Sequence, residues 1–132
     1  MNAMIRKIIG RLLSILVFAV VLAGCSSSKG IATGIYKKNV HASYYADKFN
    51  GKATASGAKF SNSKLTAAHR KLPFGTKIRV TNLVNDKSVV VEVNDRGPFT
   101  SGREIDLSKK AFMEIADNKN HGALKVQIEI LK

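Results

Sequence analysis

Short segments of alternating apolar and polar residues are the feature that most limits the fold of this chain. Ile78 and Val80 alternate with polar neighbours, and Val126, Ile128 and Ile130 do the same near the C-terminus. A period of two places the apolar side chains on one face of a strand. The sequence predicts six strands of this kind, over residues 42–45, 65–69, 77–83, 88–94, 103–107 and 124–131.

Local signals between these segments indicate how the strands are connected. Asn85 and Asp86 predict a hairpin turn, and Ser108 predicts the N-cap of a single short helix. A domain of about 90 residues buries only some 60–65% of its unfolded surface, so the core has to come from few residues. Closing short strands into a barrel removes their exposed edges. We therefore predict a mainly β domain over residues 40–132, a closed six-stranded barrel with one helix.

The N-terminus has the pattern of a bacterial lipoprotein signal peptide. A short basic head precedes an apolar run over residues 12–22, and a bilayer-spanning helix needs a longer run of about 20 residues. The run ends in Leu-Ala-Gly-Cys, which resembles the box where a peptidase cleaves before a lipid-modified cysteine. Cys25 is the only cysteine, so an intrachain disulfide is excluded. Residues 1–24 are predicted to be the signal peptide and Cys25 the lipidation site; the alternative is an ordinary signal peptide followed by an unpaired thiol.

Composition predicts where the chain acts and what it meets there. Residues 25–39 are rich in Ser, Gly and Lys, which predicts a flexible tether between the lipid anchor and the barrel. The 22 Lys and Arg against nine Asp and Glu give a formal net charge of +13. An exported, tethered chain meets the polyanions of the wall rather than nucleic acid. The predicted location is the cell envelope, on the periplasmic face of the outer membrane if the cell has one.

One predicted strand ends in residues suited to chemistry. The alternating segment over residues 88–94 runs into Asp95 and Arg96, and the Gly-Pro pair that follows forces a turn. A strand end under a tight turn holds its side chains rigidly, so Asp95 is a candidate functional residue. The alternative is that Asp95 only accepts backbone N–H bonds in the turn while Arg96 is solvated.

Five segments in combination resemble one family. They begin at Thr54, Leu65, Val80, Val93 and Ile105, and they read TASG, LTAAHRKLPFGT, VTNL, VNDRGPF and IDLS. Over nearly all of residues 42–131 the chain resembles the RlpA-like (rare lipoprotein A) double-psi β-barrel family. The resemblance implies a six-stranded double-psi barrel, a fold shared with expansins. It also implies an endolytic lytic transglycosylase that cleaves MurNAc–GlcNAc bonds of peptide-stripped peptidoglycan strands and leaves 1,6-anhydro-MurNAc ends.

The same resemblance implies which side chains form the site. The functional His and Asp of the family fall on His69 and Asp95, which are the predicted catalytic residues. A turn-bound structural histidine is the alternative for His69, and capping of the helix is the alternative for Asp106. No cofactor is expected, and no metal site, because the histidines lack a ligand-pair spacing. The predicted substrate-binding residues are Asn94, Arg96, Asp106, Thr54 and Phe74.

The chemistry of the reaction leaves open whether Asp95 makes both proton transfers or shares them with His69. Glycoside hydrolysis usually takes two carboxylates, whereas a lytic transglycosylase uses the C6 hydroxyl of its own substrate as nucleophile. Asp95 alone could protonate the leaving oxygen and take the hydroxyl proton in turn. In the other version a protonated His69 is the acid and Asp95 the base. In either version the resemblance implies that the two side chains meet in one groove, and side chains on opposite faces of the barrel would count against the catalytic interpretation.

A departure from the family keeps a second class of function open. Many members carry acidic residues where this chain has Ala58 and Ser61. The alternative function is therefore a non-catalytic, expansin-like lipoprotein that binds or loosens peptidoglycan. In either case the expected partners are glycan strands and a membrane, with proteins of cell division or wall synthesis as further candidates.

Overall fold

The computed structural model describes residues 32–132; the predicted signal peptide and residues 25–31 of the predicted tether, with Cys25, lie outside the described residues. One α-helix, α1 (Lys109–Ile115), precedes the last of six strands in this part of the chain, and a 3-10 turn (Asp47–Phe49) follows the first. The strands are β1 (Gly34–Tyr44), β2 (Thr66–His69), β3 (Lys77–Asn82), β4 (Ser88–Asp95), β5 (Ile105–Leu107) and β6 (Leu124–Ile130).

The six strands close into a barrel in the order β1-β5-β2-β4-β3-β6. The pairs β1–β5 and β2–β4 are parallel, and the other four neighbouring pairs are antiparallel. Closure leaves every strand with two partners, so no long edge is exposed. The prediction of a mainly β, six-stranded barrel with one helix is confirmed.

The core is made from the inward faces of the strands and one face of α1. Phe112 and Ile115 of the helix are fully buried, and the ring centroid of Phe112 lies 4.6 Å from that of Tyr44. The hydroxyl of Ser108 accepts a hydrogen bond from the N–H of Ala111, which confirms the predicted N-cap. No helix within residues 32–132 is long and apolar enough to cross a membrane.

The first strand begins earlier than the sequence predicts. β1 starts at Gly34, inside the segment 25–39 assigned to a tether, so the predicted domain boundary at residue 40 is too late. The register between β1 and β6 shifts twice between Ile35 and Val40, and Asn39 has a φ of 58°. These irregularities interrupt the alternation by which a strand is detected in sequence.

Candidate active site

Four residues form a row across the outer face of neighbouring strands. Ser43 of β1 pairs with Asp106 of β5, Asp106 pairs with Ala68 of β2, and Ala68 pairs with Asp95 of β4. The chain neighbours of Asp106 belong to the core, so Asp106 points away from it. Ala68, the residue between the two carboxylates in this row, is itself buried. We call this row and the surface around it the groove.

The carboxylate of Asp95 is fixed by three hydrogen bonds. Its Oδ1 accepts from the backbone N–H of Ala55 at 2.8 Å and of Arg96 at 2.9 Å. Its Oδ2 accepts from the hydroxyl of Tyr45 at 2.5 Å. A carboxylate oxygen has two lone pairs, so Oδ2 keeps one for a further partner. Asp95 therefore does accept a turn N–H, as the simpler sequence interpretation held, and also presents a free acceptor site.

Tyr45 is a site residue that the sequence does not single out for this contact. Its ring stacks on Phe60 with centroids 4.1 Å apart and meets Phe49 edge-on at 5.9 Å. Burial raises the pKa of the Tyr45 hydroxyl far above its ordinary value, and the hydrogen bond to Asp95 and the charge of that carboxylate raise it further. Tyr45 is thus a permanent hydrogen-bond donor to Asp95.

The second carboxylate of the groove is held in a different way. Both oxygens of Asp106 accept from one guanidinium nitrogen of Arg103, at 2.7 Å each, and the hydroxyl of Ser43 also donates to it. Its side chain is 16% exposed. Because Ser108 is the residue that caps α1, the capping alternative for Asp106 is wrong. Asp106 lies in the groove as a strongly bound negative group.

The side chain of His69 does not reach the groove. Ala68 lies beside Asp95, and successive side chains of a strand alternate between faces, so the ring of the next residue turns inward. His69 is 1% exposed and shares no hydrogen bond with Asp95. The expectation that these two side chains meet in one groove is therefore wrong.

The hydrogen bonds of His69 define its protonation state. Its Nδ1 accepts from the backbone N–H groups of Lys71 and Leu72, at 3.1 Å each, so Nδ1 carries no proton. Its Nε2 lies 3.0 Å from Oε1 of Glu104 and donates to it. Burial lowers the pKa of His69, and the hydrogen bond and charge of Glu104 only partly offset this. The ring is a neutral imidazole, which is unsuited to the role of a protonated acid.

Glu104 contacts three basic side chains behind the groove. It is not among the residues that the sequence singles out. It contacts Lys37 at 2.8 Å, His69 at 3.0 Å and Arg70 at 3.0 Å. Burial acts to raise the pKa of Glu104, but hydrogen bonds from Lys37 and His69 outweigh burial and lower it. Arg70 also donates to the carbonyl of Arg103, so this cluster supports the strand that carries Asp106. No sequence signal indicates this contact, because Glu104 lies 35 positions from His69.

The other predicted binding residues differ in how far their side chains are free to contact a ligand. Thr54 is 8% exposed and donates to the carbonyl of Ala58, so its hydroxyl is committed to a turn. Arg96 donates to the carbonyls of His69 and Leu72, and its guanidinium lies 3.9 Å from the ring centroid of Phe74. Phe74 is 42% exposed, which leaves part of its ring open to a ligand.

The described part of the chain carries clefts on more than one side, and two of them bear on the site. One, of about 280 Å³, is lined by Asn94, Phe74 and the loop that carries Lys59 and Lys64. The other, of about 500 Å³, lies beside the loop that carries Phe99 and includes Glu104 in its lining; Asp95 itself lines neither of the two. The smaller cleft is the one next to the candidate acid–base group. Within residues 32–132 no three His, Cys, Asp or Glu side chains are grouped to hold a metal ion.

A closed barrel with two parallel strand pairs, bearing a carboxylate fixed by three donors on its outer face, defines a double-psi β-barrel domain with a candidate acid–base site. Two solved structures share this fold. A Clavibacter michiganensis expansin matches with a TM-score of 0.57 and 20% identity, over 72% of this chain and 50% of the expansin. The Streptomyces papain inhibitor matches with a TM-score of 0.56 and 23% identity, over 76% of this chain and 94% of the inhibitor.

Sequence comparison identifies the family. The family model described as "Lytic transglycolase" matches residues 37–128. The endolytic peptidoglycan transglycosylase RlpA of Rickettsia prowazekii is 52% identical over 94 residues, which are 69% of this chain and 29% of that protein. The protein of the same name from Rickettsia felis is 48% identical over 103 residues, 76% of this chain and 45% of its own length. The chain belongs to the RlpA-like family of double-psi β-barrels, and it spans between a quarter and a half of the length of these curated relatives.

The protonation state of His69 predicts how stability depends on pH. Because the folded-state pKa is lower than the unfolded value of about 6.5, the stabilising contribution is complete above that pH and is lost as the pH falls toward the folded pKa. Between about pH 7 and pH 5 the Tm of the wild type should therefore fall by several degrees more than that of His69→Asn. A His69 ring that titrates in NMR at or above its ordinary pKa would contradict this assignment.

Proposed function

We propose that the protein is a lytic transglycosylase that cleaves the MurNAc–GlcNAc bond of peptidoglycan glycan strands. The observation that carries this proposal is the Asp95 carboxylate, which is oriented by three donors and retains a lone pair on Oδ2. The names of the RlpA relatives support the same reaction and the same polymer.

In this proposal Asp95 performs both proton transfers. In its acid form it gives its proton to the bridging oxygen while the bond from that oxygen to C1 of MurNAc breaks. The resulting carboxylate takes the proton of the C6 hydroxyl while O6 bonds to C1. Asp95 ends with the proton count with which it began, and no water is consumed. The products are a GlcNAc hydroxyl end and a 1,6-anhydro-MurNAc end.

The neighbours of Asp95 support this use of a single carboxylate. Tyr45 and the N–H groups of Ala55 and Arg96 orient the carboxylate formed after the first transfer. The negative charge of Asp106 lies two strands away and stabilises the cationic character that develops at C1. The charge of Asp106 is paired with that of Arg103, whereas the charge of Asp95 has no ion-pair partner within the described residues, so Asp106 is the less suited of the two to activate the water that hydrolysis would need.

We assign His69 a positioning role in place of the predicted catalytic one. Its ring holds the N–H groups of the turn after β2, and its carbonyl accepts from Arg96 at 3.2 Å. Arg96 is the residue whose N–H binds Asp95. His69 therefore affects the reaction through the placement of that N–H, without contact to the substrate.

We also propose that the barrel acts in the cell envelope, anchored by lipid at Cys25. The support for this is the basic head, the apolar run over residues 12–22 and the Leu-Ala-Gly-Cys box. The described barrel begins at Gly34, so the connecting segment is shorter than residues 25–39. Anchored in this way, the groove would meet glycan strands close to the membrane.

Asp95→Asn should abolish formation of 1,6-anhydro ends, a loss of at least about a hundredfold, because an amide cannot carry the proton. The Tm should stay within a few degrees, since the amide oxygen still accepts from both N–H groups and the Tyr45 hydroxyl can rotate to accept from the amide nitrogen. Products of digested sacculi are measured by mass spectrometry. Full activity in this variant would make Asp95 structural, and a wild type that binds sacculi without cleaving them would support the non-catalytic alternative.

Tyr45→Phe should reduce the cleavage rate by about ten- to a hundredfold, because it removes one hydrogen bond to a charged group. The matched control is Tyr44→Phe, since Tyr44 packs on Phe112 and its hydroxyl makes no hydrogen bond within the described residues. Rates are measured on the same glycan preparation. Equal losses in the two variants would show that the hydroxyl of Tyr45 has no special part.

Cys25→Ala should leave the protein as an uncleaved precursor or release it from the membrane, because cleavage and lipid attachment both require the cysteine. Membrane fractionation with immunoblotting measures the outcome, and Ser26→Ala is the control. Unchanged processing and membrane association of the Cys25 variant would refute the lipoprotein assignment.

A further inference from the structure

The smaller cleft lies directly beside the candidate catalytic group. Its walls include Thr66 of β2 and residues 92–94 of β4. Asn94 immediately precedes Asp95, and Ser56, also in the wall, follows the Ala55 whose N–H binds Asp95. A sugar whose bond is cleaved at Asp95 therefore has this cleft within reach of its substituents.

The charges of the cleft are not balanced. Lys59 and Lys64 line it, both are exposed, and within residues 32–132 no carboxylate lies within ion-pair distance of either. The carboxylate in the wall is Glu92, and Lys77 binds it at 3.0 Å. The cleft thus presents two positive charges to a ligand, while its negative charge is already paired.

Phe74 adds a surface suited to a sugar ring. One face of its ring is covered by the guanidinium of Arg96, and 42% of the residue remains exposed at the edge of the cleft. An exposed aromatic ring stacks on the apolar face of a sugar. A ring seated there would have its substituents in the same cleft as Lys59 and Lys64.

We propose that Lys59 and Lys64 bind the lactyl carboxylate of a MurNAc residue next to the bond that is cleaved; this rests on the proposed function. In an intact strand the lactyl group is joined to the stem peptide through an amide and carries no charge. Removal of the peptide exposes one carboxylate on each MurNAc. The lysine pair distinguishes the two forms of the strand by the charge at the lactyl group.

The test measures binding separately from cleavage. The full chain with Asp95→Asn is titrated calorimetrically with a MurNAc–GlcNAc tetrasaccharide whose lactyl groups are either free or methylamidated. Lys59→Gln and Lys64→Gln are then added together to this protein. Binding to the free form should weaken about tenfold, as expected for the loss of two partly exposed ion pairs. Binding to the amide should change less than twofold. The matched control is Lys87→Gln with Lys125→Gln, two exposed lysines that do not line the cleft.

The outcomes separate this inference from the proposed reaction. Equal losses for the two ligands, or the same loss in the control pair, would reduce the lysines to general electrostatic attraction and overturn the proposal. If the Asp95→Asn protein that keeps both lysines binds the two ligands with equal affinity, the proposal is also overturned, even if the wild type cleaves glycan. Selective binding of the free form, together with a wild type that produces no anhydro ends from stripped sacculi, would uphold the carboxylate subsite and refute the lytic reaction. Free lactate and inorganic phosphate are also compared as competitors of the bound tetrasaccharide. If phosphate displaces it as strongly as lactate does, the cleft is assigned to phosphate polymers and the proposal is overturned.

Discussion

The parallel pairing of β2 with β4 is the constraint on which the site depends. The register moves by one residue between Ala67 and Ala68, so that Ala68 rather than His69 lies beside Asp95. Because side chains alternate along a strand, Asp95 would follow Val93 to the inner face without this shift, and the shift places it on the outer face instead. His69 follows Ala67 to the inner face by ordinary alternation within β2. The outward placement of Asp95 therefore depends on a backbone irregularity.

The donors to Asp95 come from separate parts of the chain. Tyr45 follows β1, Ala55 lies in the long loop before β2, and Arg96 begins the turn after β4. These segments meet only when the barrel is closed, so folding itself orients the carboxylate before substrate binds. Glu104 contacts Lys37, His69 and Arg70 at the same end of β2, where His69 is the last residue of the strand.

Much of the fold could be predicted from sequence, because periodicity reports burial. The strands with regular alternation, such as that over residues 124–131, lie within a residue or two of their predicted ends, and Ser108 caps the helix as predicted. The start of β1 was missed because bulges around Asn39 break the period. Family motifs identify His69 and Asp95 as important, but a motif carries no information on which way a side chain faces. Tyr45 and Glu104 were missed since their contacts join residues 50 and 35 positions apart.

The central claim is that one carboxylate, Asp95, cleaves the glycan without using water. Digestion of amidase-stripped sacculi in water enriched in heavy oxygen tests this most directly, with mass spectrometry of the new chain ends. The account predicts 1,6-anhydro-MurNAc ends that contain no heavy oxygen, because the C6 hydroxyl of the substrate is the nucleophile. Reducing MurNAc ends that carry one heavy oxygen would contradict it, since they would show hydrolysis and require a second group to activate water.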